Sequence, residues 1–456
     1  MNRIARRSVA LLVFVAVLVG GISFFMVEYF MKGGQWVVTS GSPHVYSGPN
    51  IGCGIVTDRD GILLLDADDK RTYSALPELR KSTLHWLGDH YGFVSAPAVA
   101  EYAEEMAGYD PVTGLYSYSG KGQTTLTLSA KAQMAALEAL GDYKGTVAVY
   151  NYKTGELLCA VSTPTYDPDN PPTITEENRE ALEGVYVNRF TMSAYIPGSV
   201  FKIVTTAAAL EHIPDIREQT FTCTGSYHYD TRPVTCEKVH GTLDFDSALA
   251  QSCNCAFAAI VDQLGPQTLR KFVEKYRVTE SLIFDGIKTA AGNFDVSGSS
   301  ADQIAWSGIG QHKDQINPCR YLAFMGAIAS GGAGVQPHVV SKVTCGDKVT
   351  YSADAVPMER IMSPEVAQEL QRMMRNNVTE KYGAEHFPGL TVCAKSGTGQ
   401  VDGGKEPNAV FAGFVTDEEY PLAFIAVVED AGYGRQICVP ILSKVLAVCK
   451  EVMDEK

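Results

Sequence analysis

The sequence predicts an α+β fold: helices packed on one antiparallel sheet, carried behind an N-terminal apolar helix and a small intervening module. Three observations predict it. Residues 145–152 and 156–162 are apolar, strand-like segments on either side of a Lys153-Thr154-Gly155 turn, which is a hairpin pattern. Near the other end, residues 390–394, 409–415 and 422–428 are strand-like runs separated by short connections, including Asp402-Gly403-Gly404 and the acidic 416–419, so they follow one another as antiparallel neighbours. Between these two sets of strands the pattern is helical. At 456 residues, 45% hydrophobic and 20% charged, the chain has room for two or three domains and a sizeable core.

In chain order, Arg3, Arg6 and Arg7 precede residues 8–27, a run of twenty without a charge. As a helix it is about 30 Å long, enough to cross the hydrocarbon core of a bilayer. The arginines are expected to stay in the cytoplasm, which places the rest of the chain outside. Residues 1–32 are therefore read as a cytoplasmic tip and a single-pass transmembrane anchor; a cleaved signal peptide is the competing reading. Residues 33–142 form a membrane-proximal pedestal. In it, Asp58-Arg59-Asp60-Gly61 is a turn before the apolar 62–65, and 96–106 reads as a short helix. A polar, glycine-containing stretch at 117–123 leads to a strand at 124–128 and a helix at 129–140, after which the boundary is drawn. No reactive set of residues gathers in this module.

The domain over 143–456 is organised around Tyr195-Ile-Pro-Gly-Ser-Val-Phe-Lys202, which runs into the alanine-rich 203–210. Pro197 and Gly198 mark a turn, and Ser199 is placed to begin the helix. Residues 245–251 approach Ser252-Cys253-Asn254, with an apolar helix at 256–264 behind. Gly308-Ile-Gly-Gln311 and Ala329-Ser-Gly-Gly332 are glycine turns bracketing a helix at 318–328. The strand at 390–394 continues into Lys395-Ser396-Gly397-Thr398-Gly399. Ile441, Leu442, Val445, Leu446, Val448, Cys449 and Val452 repeat at helical period and give a terminal helix one face for the sheet.

A net charge of −14 argues against a nucleic-acid partner, which would need basic patches. Eleven cysteines is an odd number, so at least one is unpaired. They are scattered rather than set in Cys-x-x-Cys or Cys/His pairs, and His-Glu-x-x-His is absent, so no zinc site, other metal or cofactor is expected. Cys223 and Cys236 flank a short polar stretch; a bridge and two unpaired thiols are equally open for them.

Ser199 and Lys202 stand one helical turn apart on one face, which brings the lysine amine back towards the serine hydroxyl. A serine is a poor nucleophile until its proton is removed, and a lysine can remove it only when neutral. Bringing its pKa from about 10.4 to near neutrality costs about 4 kcal/mol, supplied by desolvation or a second cation. Lys395 is a candidate for that cation and Ser252 for a hydroxyl relay. The Ser-x-x-Lys, Ser-x-Asn and Lys-[Ser/Thr]-Gly patterns are each weak alone, and the last has a decoy at Lys153. Their order and setting carry the weight: a serine at a helix start, Ser-x-Asn before a helix, and Lys-Ser-Gly-Thr on a strand.

With these three motifs the sequence resembles a class B, monofunctional transpeptidase penicillin-binding protein from about Gly145 to the terminal helix. Asn188-Arg189, Pro197-Gly198, His240-Gly241, Gly308-x-Gly310-Gln311 and the Asp58-Arg59-x-Gly61 turn add to the resemblance. It implies the penicillin-binding transpeptidase fold, a five-stranded antiparallel sheet flanked by helices with a helical subdomain. It implies a D,D-transpeptidase that cross-links peptidoglycan stem peptides ending in D-Ala-D-Ala and is acylated by β-lactams. By motif, Ser199 would be the nucleophile, Lys202 its base, and Ser252 a proton relay held by Lys202 and Lys395. Asn254 would bind the substrate backbone, and Lys395, Ser396, Gly397 and Thr398 would line the strand that takes the terminal carboxylate. Backbone N–H groups of Ser199 and Thr398 would form the oxyanion hole. Lys153-Thr154-Gly155 lies where the family has a plain turn. Val410 stands where many members carry tryptophan, and Ser129 where many carry aspartate. The stretch between anchor and catalytic domain is too short for a glycosyltransferase domain on top of a pedestal, so a separate membrane glycosyltransferase is the expected partner. A β-lactam hydrolase or sensor is the enzymatic alternative, and an idle cell-wall scaffold the non-enzymatic one.

Overall fold

The apolar runs at the two ends of the domain meet in one sheet. Its strands lie in the order Leu157–Thr163, Gly145–Asn151, Leu422–Val428, Asn408–Val415 and Val392–Gly399, and every neighbouring pair is antiparallel. The two end segments of the domain join at its centre, where Ala148 pairs with Ile425. All residues of the first four of these strands are buried. Helices cover both faces, which is why the strands read as continuous apolar runs instead of alternating. Val147, Val149, Phe411 and Phe424 pack under the helices Ala130–Leu140 and Gly434–Asp454. Ala148, Tyr150, Ala412 and Ile425 face the opposite layer, which includes the helices Lys202–His212 and Pro318–Ala329.

This architecture is a computed structural model that describes residues 3–39, 42, 45–47, 50–67, 71–115, 122–401 and 403–455. Residues 117–121 of the polar stretch, and Asp402 of the glycine turn, lie outside the described residues.

Elements predicted from pattern are present with shifted ends. The helix expected at 256–264 runs from Asn254 to Tyr276, because the chain kinks at Gly265 (φ 71°) and Pro266 restarts it. Proline is tolerated there because the first turn of a helix has no use for its missing N–H. The terminal helix begins at Gly434, earlier than its apolar repeat, and contains Pro440. The expected helix over 96–106 is two short ones, Pro97–Glu101 and Ala103–Ala107, parted at Tyr102. The Asp58 turn forms as read: its carboxylate accepts from Asp60 N and Ile62 N (2.9 and 2.8 Å) and from Ala130 N (2.9 Å) at the start of the next helix. Ser129 is the N-cap of that helix.

A second sheet, six-stranded and mixed, reaches across the chain. Its order is Lys348–Ser352, Val340–Cys345, Gly122–Leu126, Ile55–Thr57, Leu63–Asp66 and Thr72–Tyr73. Two of its six strands thus come from far beyond residue 142. The helix Pro77–Leu87 docks on the other sheet: Trp86 Nε1 donates to Ala160 O (2.7 Å), and Gln133 bridges Ser82 O and Ala160 N, both at 2.8 Å. At the N-terminus, the helix Arg3–Val37 is long and apolar enough to cross a membrane, and its most apolar stretch is not buried against the protein.

Candidate active site

Ser199 sits in a 3-10 turn, Gly198–Phe201, that passes directly into the helix Lys202–His212. The turn is pressed against the strand Val392–Gly399. Gly198 has φ 57°, and a Cβ there would lie 2.4 Å from Thr398 O and 2.6 Å from Thr398 N. Gly397 faces it, where a Cβ would lie 2.4 Å from Pro197 O. Glycine at both positions lets the nucleophile turn and the third motif approach backbone to backbone. Three hydrogen bonds fix this contact: Gly198 N to Gly310 O (2.8 Å), Gln311 Nε2 to Thr398 O (2.9 Å) and Tyr321 Oη to Val200 O (2.7 Å).

Lys202, the first residue of the α-helix, is fully buried. Its Nζ donates to Ser252 O (2.6 Å), Ser252 Oγ (3.1 Å) and Asn254 Oδ1 (2.7 Å), and lies 5.2 Å from the centre of the Phe257 ring. Among the described residues no hydrogen bond joins Lys202 to the Ser199 hydroxyl, which the helical spacing had suggested; its amine is turned to the Ser-x-Asn loop. Catalytic hydrogen bonds of this kind often tighten only with substrate in place. Burial, and then the neighbouring Lys395 cation, bring the Lys202 pKa down to about 7.

Lys395 is equally buried, and burial takes its pKa down to about 7 as well. Its Nζ donates to Ser252 Oγ (3.1 Å) and Ser396 O (3.0 Å). The two lysine amines thus meet on one hydroxyl, that of Ser252, whose backbone is held at φ 54°. Over this buried pair lies a partly exposed polar rim of Ser199, Ser252, Asn254, Ser396 and Thr398. Ser396 and Thr398 share a face of their strand because side chains alternate. All the site residues expected from the motifs are therefore brought together, whereas Lys153 and Thr154 sit in a tight turn whose N–H groups are taken by Asn151 Oδ1.

Sequence reasoning missed Tyr382. Its hydroxyl accepts from Ser396 N (2.9 Å) and lies 3.1 Å from Ser396 Oγ and 3.5 Å from Lys395 Nζ. It comes from the turn Val378–Tyr382, in a stretch with no motif to announce it. Of the two readings open for Cys223 and Cys236, the structure has the unpaired thiols. With His240 and Cys253 they form a cluster whose ligand atoms all lie within 4.8 Å of one another. The expected absence of any metal-binding cluster rested on spacing along the chain, and these four come from separate elements.

A lysine of lowered pKa and a second amine on one serine hydroxyl, beside backbone N–H groups at a tight turn, form a site suited to acyl transfer. The family model of the penicillin binding protein transpeptidase domain matches residues 145–447. The chain belongs to this family. The peptidoglycan D,D-transpeptidase PbpA of Mycolicibacterium smegmatis is 28% identical over 340 residues, covering 68% of each chain. The stage V sporulation protein D of Bacillus subtilis is 26% identical over 322 residues, 66% of this chain and 48% of that protein. Among solved structures, penicillin-binding protein A of Mycobacterium tuberculosis, as its ceftriaxone acyl-enzyme, has a TM-score of 0.74 at 20% identity, covering 87% of this chain and 98% of that one. The D,D-transpeptidase domain of a peptidoglycan glycosyltransferase from Eggerthella lenta also reaches 0.74, at 24% identity. The penicillin-binding transpeptidase fold expected from the three motifs is borne out.

Proposed function

We propose that this chain is a peptidoglycan D,D-transpeptidase working through a Ser199 acyl-enzyme. The observation that carries the reading is the convergence of two buried amines, Lys202 and Lys395, on Ser252 Oγ at 3.1 Å each, beneath a turn that exposes Ser199. Family membership and relatives called peptidoglycan D,D-transpeptidase support it.

Neutral Lys202 takes the Ser199 proton as the serine oxygen attacks the carbonyl of the penultimate D-Ala. The N–H groups of Ser199 and Thr398 receive the oxyanion, each worth about 3 kcal/mol in such sites. On collapse the C–N bond breaks, and Ser252 gives its proton to the departing D-Ala amine; the lysine amines hydrogen-bonded to Ser252 restore it. Lys395, Ser396 and Thr398 hold the terminal carboxylate, Gly397 keeps the strand close to the nucleophile turn, and Asn254 binds the peptide backbone. An amine of a second stem peptide then attacks the ester and frees Ser199. A β-lactam presents its carbonyl and carboxylate to the same groups, and its opened ring stays on Ser199.

We place this domain at 143–456, outside the membrane, on a pedestal at 33–142 and a single-pass anchor at 1–32. The uncharged run after three arginines supports that topology. A membrane glycosyltransferase would supply the glycan strands.

A fluorescent penicillin tests the chemistry. The full chain is expected to take one slowly released label at Ser199, lost in Ser199→Ala. Lys202→Ala should slow labelling by roughly 10²–10⁴-fold with the fold intact. Labelling that persists in Ser199→Ala sinks the assignment, and rapid release of hydrolysed drug would make the protein a hydrolase.

A further inference from the structure

Four side chains outside the proton path converge without any role in acyl transfer. Cys223 ends the strand Thr220–Cys223, Cys236 follows the strand Val234–Thr235, His240 precedes the strand Gly241–Asp244, and Cys253 caps the helix Asn254–Tyr276. Their distances are those of a tetrahedron rather than of disulfides. Cys236 Sγ and Cys253 Sγ are 3.7 Å apart, and Cys223 Sγ lies 3.4 Å from His240 Nδ1. Zinc bonds of about 2.3 Å to sulfur and 2.0–2.1 Å to nitrogen give tetrahedral edges of about 3.8 and 3.6 Å. A disulfide would need about 2.05 Å.

We propose that Cys223, Cys236, His240 and Cys253 bind a zinc ion that anchors the Ser252-x-Asn254 loop. Three thiolates and an imidazole suit zinc over magnesium or calcium, and four protein ligands close the site, so the ion is structural. Backbone N–H groups already point at the sulfurs: Asn254 N donates to Cys236 Sγ (3.0 Å) and Ala256 N to Cys253 Sγ (3.5 Å). Such outer hydrogen bonds orient ligands and favour their charged form.

The ion ties the arm to the catalytic loop. The arm between Cys223 and His240 has strands of only two residues, Ser226–Tyr227 paired with Val234–Thr235, and its outer part is held by Tyr227 and Tyr229 to Asp262 and by Thr231 to Asp302, so the ion adds the tie on the side of Asn254. Asn254 depends on that arm: its Nδ2 donates to Thr235 O (2.8 Å) while its Oδ1 accepts from Lys202 Nζ (2.7 Å). The metal ligands are positioning residues. They hold Asn254, and through it the Lys202 amine, in place for acylation.

The test uses the full chain in detergent, purified without added metal. Elemental analysis is expected to find about one zinc per chain, and cobalt exchanged into the site should give thiolate charge-transfer and tetrahedral d–d absorption. Cys223→Ser and His240→Ala should lose the metal, while Ser199→Ala keeps it and takes no penicillin. Removing zinc from the wild type with a chelator should slow acylation roughly tenfold or more, restored by zinc. Absence of metal with no cobalt spectrum, or a Cys236–Cys253 disulfide found by mass spectrometry, overturns the site. Unchanged acylation after zinc removal overturns its positioning role. The acylation arm rests on the Ser199 reading; the metal count does not, so a metal-loaded protein that never labels would sink the enzyme and leave the site standing.

Discussion

Lys202 can serve as base only in its neutral form, and burial together with Lys395 brings its pKa down to about 7. The neutral fraction grows as pH rises through that value, so acylation by a penicillin should climb through a limb centred at about pH 7. Lys395→Gln removes the neighbouring cation, one of the two causes that lower the Lys202 pKa, and should move the limb to higher pH. Stopped-flow acylation from acid to alkaline pH checks both, read as the behaviour of the coupled pair; a limb that stays put in Lys395→Gln would mean the two amines do not interact. The residues of this pair were legible in the sequence because motif order fixes them. Tyr382 was not, since one tyrosine among twenty-two carries no mark of its contact with Ser396 N. Cys223, Cys236, His240 and Cys253 were missed because the ligands gather from a strand end, two loops and a helix cap, which linear spacing does not encode.

Between elements, the contact that matters most is the nucleophile turn against the strand Val392–Gly399. Gly198→Ala places a Cβ 2.4–2.6 Å from the Thr398 backbone in a left-handed conformation. Backbone strain alone costs about 1–2 kcal/mol, and the Thr398 backbone must also retreat from the Ser199 turn. Gly61→Ala is the control: it has φ 84° with no atom within 4 Å of the added Cβ, so it carries the backbone cost only. Gly61→Ala should lower Tm slightly and Gly198→Ala by more, and only Gly198→Ala should lose penicillin labelling. Equal labelling of the two would show that close approach at Gly198 is dispensable. The strands and helices of the sheet were legible from pattern, because burial on both faces makes strands long apolar runs. The 3-10 entry of the nucleophile helix was not: it follows from the positive φ of Gly198 and the packing of Val200 and Phe201, both fully buried.

For the molecule as a whole, the division at residue 142 describes order along the chain better than units of folding. Val340–Cys345 pairs with Gly122–Leu126 across that line, and the helix Ala130–Leu140 covers one face of the five-stranded sheet. These couplings were invisible in the sequence because strand partners so far apart leave no local signature. A chain cut to 143–456 would expose Val340–Cys345 as an unpaired edge, bare the apolar face under Ala132, Ala136 and Leu140, and lose the Trp86 and Gln133 bonds to Ala160. An exposed apolar edge strand templates aggregation. A cut to 38–456 removes the helix Arg3–Val37, whose most apolar stretch is not buried against the protein and whose last turns meet it at Gly33, Gly34 and the Tyr29 hydroxyl bonds to Pro111 O and Tyr109 Oη. The shorter fragment is expected to aggregate and to take no penicillin. The longer one should stay soluble without detergent and label at the rate of the full chain, which should itself sediment with membranes. Size-exclusion chromatography and labelling of the three proteins in parallel decide it: a monomeric, fully labelled 143–456 would mean that the five-stranded sheet stands without residues 38–142.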